Sequence, residues 1–401
     1  MTSTRVPLAG RTASPSTARA INDRLALHLL KDEGPLTAGQ LKNLTGLSRP
    51  TIADLVERLG HAGLIAVVGE AGAERRGPNA RVYGIVADSA HVAGVDVRAR
   101  SVAVCVADLL GNTLAEASLP VAADVEPVRA AEATVDLVRR TAREAGAERL
   151  HHIGIGAPGL VDPATGELAA TDALPRWHRE LTAALHGGLG APVLLENEVN
   201  LAAVAEQRLG VVRDRDTFVL LWLGHGVGAA VVLDRMLRRG ASGGTGEIGF
   251  MPVPWTSGLP SATGCDGGFH SLASSSAVCE LARELGLSAD AADDARAAEA
   301  VVRAAVDEGE RGEPFLDALA GRIAVGAAAV CAVLDPGCVV LGGEVGRAGG
   351  AALARRVGDR LRGMSPLRTQ VRAGVVGGGG VLRGAVLTAT DAAQNQLFGA
   401  P

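Results

Sequence analysis

The chain has 401 residues, 47% hydrophobic and 21% charged, and a net charge of −5. That balance excludes an intrinsically disordered chain and gives enough apolar surface for two or three packed domains. Aromatic residues make up only 2%, which argues against binding single-stranded nucleic acid on stacked rings.

The charge is unevenly spread. Residues 1–86 hold 11 basic and 7 acidic side chains, and residues 87–401 hold 28 and 37. A basic head on an acidic body points to nucleic acid at one end only. Cys105, Cys265, Cys279, Cys331 and Cys338 are scattered without Cys-x-x-Cys spacing and read as reduced core thiols. The first twenty residues lack an apolar signal core, and no uncharged apolar run reaches the ~18 residues of a membrane span. The expectation is a cytoplasmic protein with no membrane partner.

Residues 1–20 read as a mobile tail. Ile21, Leu25 and Leu29 then recur at helical spacing, and the helix should stop near Gly34-Pro35. Thr37 with Gln40 is a capping-box signal for a second helix to Thr45. Gly46 supplies a turn. Ser48 is a good N-cap for a third helix with Pro50 in its first turn, a buried face of Ile52, Leu55, Val56 and Leu59, and an end at Gly60. Two strand-like runs, Leu64–Val68 and Arg81–Val86, flank the basic Gly/Pro loop that contains Arg75 and Arg76. The order predicts a winged helix-turn-helix over residues 21–86 that binds a double-stranded DNA operator. Ser48, Arg49 and Thr51 would reach base edges. Arg58, Thr37 and Gln40 would lie nearer the backbone, and Arg75 and Arg76 would meet a phosphate or the minor groove.

The body alternates strands and helices, an α/β pattern. Val92–Val97 and Ser101–Asp108 flank a polar turn, residues 127–145 form an amphipathic helix, and His152–Gly156 runs into Ala157-Pro158-Gly159. Pro192–Glu196 precedes the helix Asn200–Gly210. Phe218–Leu223, the turn Gly224–Gly228 and Ala229–Leu233 repeat the opening hairpin, which predicts two related lobes. Residues 286–313 read as a solvated helix, Ile323–Leu334 as a helix, Cys338–Leu341 as a strand with a glycine exit, and Leu382–Phe398 as the last helix.

These segments carry a resemblance. Gly156-Ala157-Pro158-Gly159, Glu196-Asn197-Glu198-Val199-Asn200, Gly224–Gly228, Gly243-Gly244-Thr245-Gly246-Glu247-Ile248-Gly249 and Leu334-Asp335-Pro336 leading to Leu341-Gly342-Gly343 stand in the order of the ROK family (repressors, open reading frames and sugar kinases). Together they resemble its winged-helix regulators of the xylose and N-acetylglucosamine repressor type. The resemblance implies a two-lobed, actin-like (ribonuclease H-like) sugar-kinase body. Lobe 1 would span residues 87–200, with 382–398 packed back on it, and lobe 2 residues 201–381. It also implies a homodimer or homotetramer, and a sugar-like effector held by Gly156, Pro158, Asn197, Glu198, Glu247 and Ser271.

The kinase parts depart from the family. The phosphate cradle reads Asp96-Val97-Arg98-Ala99-Arg100, and Arg98 and Arg100 would crowd the backbone approach that phosphate needs. The position of the family's aspartate base is Glu198, one methylene longer, in chemistry sensitive to ~1 Å. The zinc-binding His position is Phe250, and the cysteine knuckle keeps Cys265 alone, with His270 nearby. A closed zinc site wants four N/S ligands, so no metal, no cofactor and no catalytic residue is expected, and Phe250 and Phe269 would hold the loop by packing.

Overall fold

Two units make up the computed structural model: Met1–Val92 with Ala107–Leu114 and Thr390–Pro401, and Ala93–Val106 with Ala115–Ala389. The structure describes residues 15–71, 80–98, 100–122, 125–168, 181, 184–185, 187–256, 258–261, 264–289 and 294–399. Arg75 and Arg76 therefore lie outside the described residues.

In the first unit, α1 (Pro15–Asp32), β1 (Leu36–Thr37), α2 (Ala38–Thr45) and α3 (Arg49–His61) precede β2 (Ile65–Ala71) and β3 (Ala80–Ile85). Helix α1 begins before Ile21, with Pro15 in a first turn that tolerates it. Its inward face differs from the expected one. Ala26, Leu27 and Leu30 are buried, whereas Ile21 is 58% and Leu25 42% exposed. Thr37 and Gln40 form the full capping box, with Thr37 N–H donating to Gln40 Oε1 at 2.9 Å. Ser48 Oγ accepts the Thr51 N–H at 3.3 Å, as a cap should. Helix α3 ends at His61, beyond Gly60. The left-handed turn falls at Gly63 (φ +70°), where Leu64 N–H returns to the Leu59 carbonyl. Strand β1 is too short for an alternation signal and was not read from sequence; it completes a sheet of order β1-β3-β2. At the far end of this unit the His28 ring meets the Phe398 ring edge-on at 5.8 Å, and Gln394 donates to the Leu109 carbonyl at 2.8 Å.

The second unit contains two five-stranded sheets. The first joins β4 (His91–Arg98), β5 (Ser101–Asp108), β6 (Thr113–Pro120), β7 (Leu150–Ala157) and β8 (Val193–Asn197) in the order β6-β5-β4-β7-β8. The second joins β9 (Phe218–Leu223), β10 (Val227–Leu233), β11 (Met236–Arg238), β12 (Cys338–Gly342) and β13 (Gln370–Ala373) in the order β11-β10-β9-β12-β13. The two orders are the same, so the hairpin repeat seen in sequence extends to whole-sheet topology. In the second sheet β9 and β10 are antiparallel, and β12 is parallel to β9 and β13.

The helices are α4 (Pro127–Glu144), α5 (Glu198–Leu209), α6 (His270–Ala273), α7 (Ser275–Glu284), α8 (Ala295–Asp307), α9 (Glu313–Leu334), α10 (Gly343–Met364) and α11 (Gly380–Leu397). Helix α8 is not simply solvated. Ala297, Ala298, Val301, Val302 and Ala305 form a buried stripe of small side chains that the surrounding charges hid in the sequence. Helix α10 was read only as a glycine exit, and it carries a kink at Gly350 (φ 49°). By length and composition alone α9 is apolar enough to cross a membrane. Its Phe315, Leu319 and Ile323 lie in the core cluster with Val219, Leu221 and Val339. Helix α11 packs on β4 and β7 because Gly94 and Gly154 lack side chains there. A Cβ on Gly94 would meet Val386 and the Leu382 carbonyl, and one on Gly154 the Ala385 backbone.

Phe269 is fully buried against α9 at Gly326, where any Cβ would run into its ring. Gly326→Ala should therefore destabilise the chain by about 1–3 kcal/mol through overpacking. Gly321 on the same helix has nothing within 4 Å of an added Cβ. Gly321→Ala should therefore raise stability by up to about 1 kcal/mol through helix propensity. Opposite shifts in thermal melts are expected; two upward shifts would contradict the Phe269 packing.

Candidate functional site

In the first unit, α2, α3 and β3 enclose a groove of about 950 Å³ lined by Lys42, Asn43, Arg49, Glu57, Arg81 and Tyr83, among others. Arg49 is exposed and has no ion pair among the described residues. Arg58 is placed differently from the expectation. Its Nη2 meets Asp23 Oδ1 of α1 at 2.5 Å, its Nε meets Asp23 Oδ2 at 3.3 Å, and Nη1 pairs with Asp54. The Asp23 hydrogen bond leads in holding the Arg58 pKa above its usual value. Arg58 thus ties α3 to α1 rather than standing free for a phosphate. Thr37 and Gln40 spend their side chains largely on each other, and Ser48 Oγ lies 2.8 Å from Thr51 Oγ1. Lys42, Asn43, Arg81 and Tyr83 were not singled out in the sequence; the sole available signal was a basic residue on a helix and another in a strand.

In the second unit, the phosphate cradle of a sugar kinase would lie at Asp96. Asp96 is 1% exposed, and its Oδ1 finds no hydrogen-bond partner among the described residues. Arg98 lies across this position. Its Nε donates to Asp96 Oδ2 at 2.9 Å and its Nη2 to the Gly378 carbonyl at 2.5 Å. Desolvation works against the Arg98 cation, but Asp96, helped by Glu344 and Glu198, outweighs it and raises its pKa. Burial pushes the Asp96 carboxyl up, while Arg98 pulls it down. Arg100 does not share the blocking role expected of it; it is exposed in the β4–β5 turn.

The glycine turn after β9 is filled from the other side. A Cβ on Gly224 would collide with the Glu344 carboxylate and come within 3.0 Å of Trp222 Nε1. The Gly224 N–H is turned to the Gly226 carbonyl at 3.2 Å. Behind it, Gly342, Gly343, Gly374, Gly377, Glu206 and Trp222 border a cavity of only about 30 Å³, roughly the volume of one water molecule. Glu206 closes the cavity edge by accepting the Val375 and Val376 amides at 2.7 and 2.8 Å. Arg98 on one side and Glu344 on the other thus fill space beside the positions where a kinase of this fold would seat phosphate.

Glu198 begins α5 close to this cluster. Burial, then the Asp96 and Glu344 charges, push its pKa up to about 7, against the opposing effect of Arg98. Its folded-state pKa exceeds the unfolded value, so its contribution to stability is full below about pH 4.5 and is lost as pH rises through about 7. Glu198→Gln should flatten this dependence and make the chain more stable than the parent at pH 8. Urea titrations of both at pH 5 and pH 8 check it; identical slopes would contradict it.

The other expected effector contacts divide. Asn197 caps α5, its Oδ1 accepting the Val199 amide at 2.8 Å and its Nδ2 donating to the Gly159 carbonyl at 2.9 Å. Its neighbour Glu196, which opens the same motif but was given no site role, gathers the Asn197 amide, Asn200 Nδ2 and Arg239 Nε at 3.0, 2.9 and 2.6 Å. Gly156 is buried, and a Cβ there would strike Val381 and Leu201, so it serves packing. Ser271 Oγ accepts the Gly267 amide at 3.0 Å and braces a turn. Pro158 is half-exposed and Glu247 exposed, with partial desolvation raising the Glu247 pKa. Phe250 is 41% exposed and does not hold its loop by packing; Phe269 alone of the pair does. With Phe250 in the histidine position and Cys265 the lone knuckle cysteine, the donors do not fit a zinc ion. No three His, Cys, Asp or Glu side chains among the described residues are grouped to hold a metal.

Two five-stranded sheets of the same strand order, preceded by a head of three helices and a three-stranded sheet, define the actin-like sugar-kinase fold with an N-terminal winged helix-turn-helix. A family model described as the ROK family matches residues 92–392, and the chain belongs to that family. It is 23% identical to a xylose repressor of Caldicellulosiruptor bescii over 239 residues, 59% of each protein, so it spans under two thirds of that relative. A ROK family transcriptional regulator homologous to the E. coli MLC protein superposes with a TM-score of 0.76 at 20% identity, over 95% of this chain and 98% of that one. A ROK hexokinase from Thermus thermophilus superposes with a TM-score of 0.60 at 26% identity, over 74% and 97%.

Proposed function

We propose that the chain is a DNA-binding transcriptional repressor whose body senses a small, sugar-like molecule and no longer transfers phosphate. The observation that carries this reading is the groove beside α3, where Lys42, Arg49 and Arg81 stand against a single acid, Glu57. Ser48, Arg49 and Thr51 would meet base edges, and Arg75 and Arg76 a phosphate or the minor groove. Paired heads of a homodimer or homotetramer would bind a palindrome. In the body, Glu198 and Glu247 are the groups best able to meet effector hydroxyls. An effector changes DNA binding only if it prefers one conformational state of the protein. Loss of phosphate transfer is supported by Arg98 across the cradle and Glu344 against Gly224.

Mapping the DNA bound to this protein in its own cells tests the reading. Discrete palindromic sites whose occupancy changes with one carbon source are expected. Occupancy without any enriched sequence would overturn it.

A further inference from the structure

We propose that Glu57 is a base-reading side chain whose carboxylate accepts the exocyclic amino group of a cytosine, while Lys42 and Arg81 hold backbone phosphates beside it. The proposal rests on the DNA-binding reading above and adds its specificity. Helix α3 presents two exposed acids, Asp54 and Glu57. Asp54 is neutralised by Arg58, which is itself held by Asp23. Glu57 has no ion pair and no side-chain hydrogen bond among the described residues; the 2.9 Å contact from His61 Nδ1 is to its backbone carbonyl. That acid lines the same groove as Lys42, Arg49 and Arg81.

A carboxylate facing a polyanion is repelled unless it finds a donor. In the major groove the donor that suits an acid is cytosine N4, whereas arginine suits guanine O6 and N7, and glutamine suits adenine. The repulsion then becomes discrimination, because every other base leaves the carboxylate unpaired against the phosphates. Arg49 and Glu57 are separated by about 12 Å along α3 at 1.5 Å per residue, or roughly three to four base-pair steps of 3.4 Å. The half-site should therefore carry a guanine and, about that far away, a cytosine.

The test is selection of bound duplexes from a randomised library by the full chain and by Glu57→Gln and Glu57→Ala, with melting curves confirming that both fold. The parent should enrich a motif with a fixed cytosine column. Glu57→Gln should move that column toward adenine. Glu57→Ala should erase it, a loss of about 5- to 150-fold in discrimination, keep the guanine column and tighten binding to unrelated DNA. Lys42→Ala and Arg81→Ala should weaken all sequences alike and lower the salt slope by about one each. An unchanged motif in both Glu57 variants would overturn the base-reading role. Salt slopes equal to the parent's would overturn the phosphate contacts. If the parent selects no motif at all, the DNA-binding reading itself fails and this proposal falls with it.

Discussion

Arg98→Ala is expected to destabilise the chain by about 1–3 kcal/mol at pH 7. Removing one partner of a buried pair typically costs about 3–5 kcal/mol, because the other charge is left uncompensated. The lower figure reflects the Arg98 side chain, which is 42% exposed and lets water reach the gap. Asp96 has no such relief, being 1% exposed with one oxygen already lacking a partner among the described residues. Without Arg98 the burial that raises the Asp96 pKa is unopposed. A raised folded-state pKa means stability is retained in acid and lost as pH rises. The deficit should therefore shrink between pH 7 and pH 4. Adding Asp96→Asn should recover most of it, a coupling that a double-mutant cycle measures. A neutral Arg98→Ala variant would mean that the guanidinium only decorates an open cradle.

Arg49→Ala should weaken binding to the selected operator by about 1–3 kcal/mol and leave binding to unrelated DNA nearly unchanged. The guanidinium is exposed at the first turn of α3, lines the groove, and has no ion pair among the described residues. Its loss should therefore fall on recognition and not on folding. Fluorescence anisotropy on specific and scrambled duplexes separates the two. An equal loss on both would assign Arg49 to a phosphate.

The legible parts of the sequence were those fixed within a few residues. The Thr37–Gln40 box, the Ser48 cap and the two strands of each hairpin repeat depend on neighbours in the chain, and these signals are strong. The face of α1 was misread because Ile21-Leu25-Leu29 and Ala26-Leu27-Leu30 both fit helical spacing, and only tertiary contact chooses between them. Helix α10 was hidden by its glycines. Gly346 is needed there because a Cβ would press on the Leu341 backbone, a demand that no local propensity records. At the cleft, Arg98 was readable because it stands two residues from Asp96. Glu344 and Glu206 were not, since they arrive from distant segments. The same holds for Arg58, whose partner Asp23 belongs to another helix.

Calorimetric titration with magnesium and a non-hydrolysable ATP analogue, with and without hexose, asks most directly whether the phosphate seat is filled by the chain's own side chains. No saturable heat up to millimolar nucleotide is the predicted result. One-to-one binding, followed with ATP itself by hexose phosphorylation that Glu198→Ala abolishes, would contradict it.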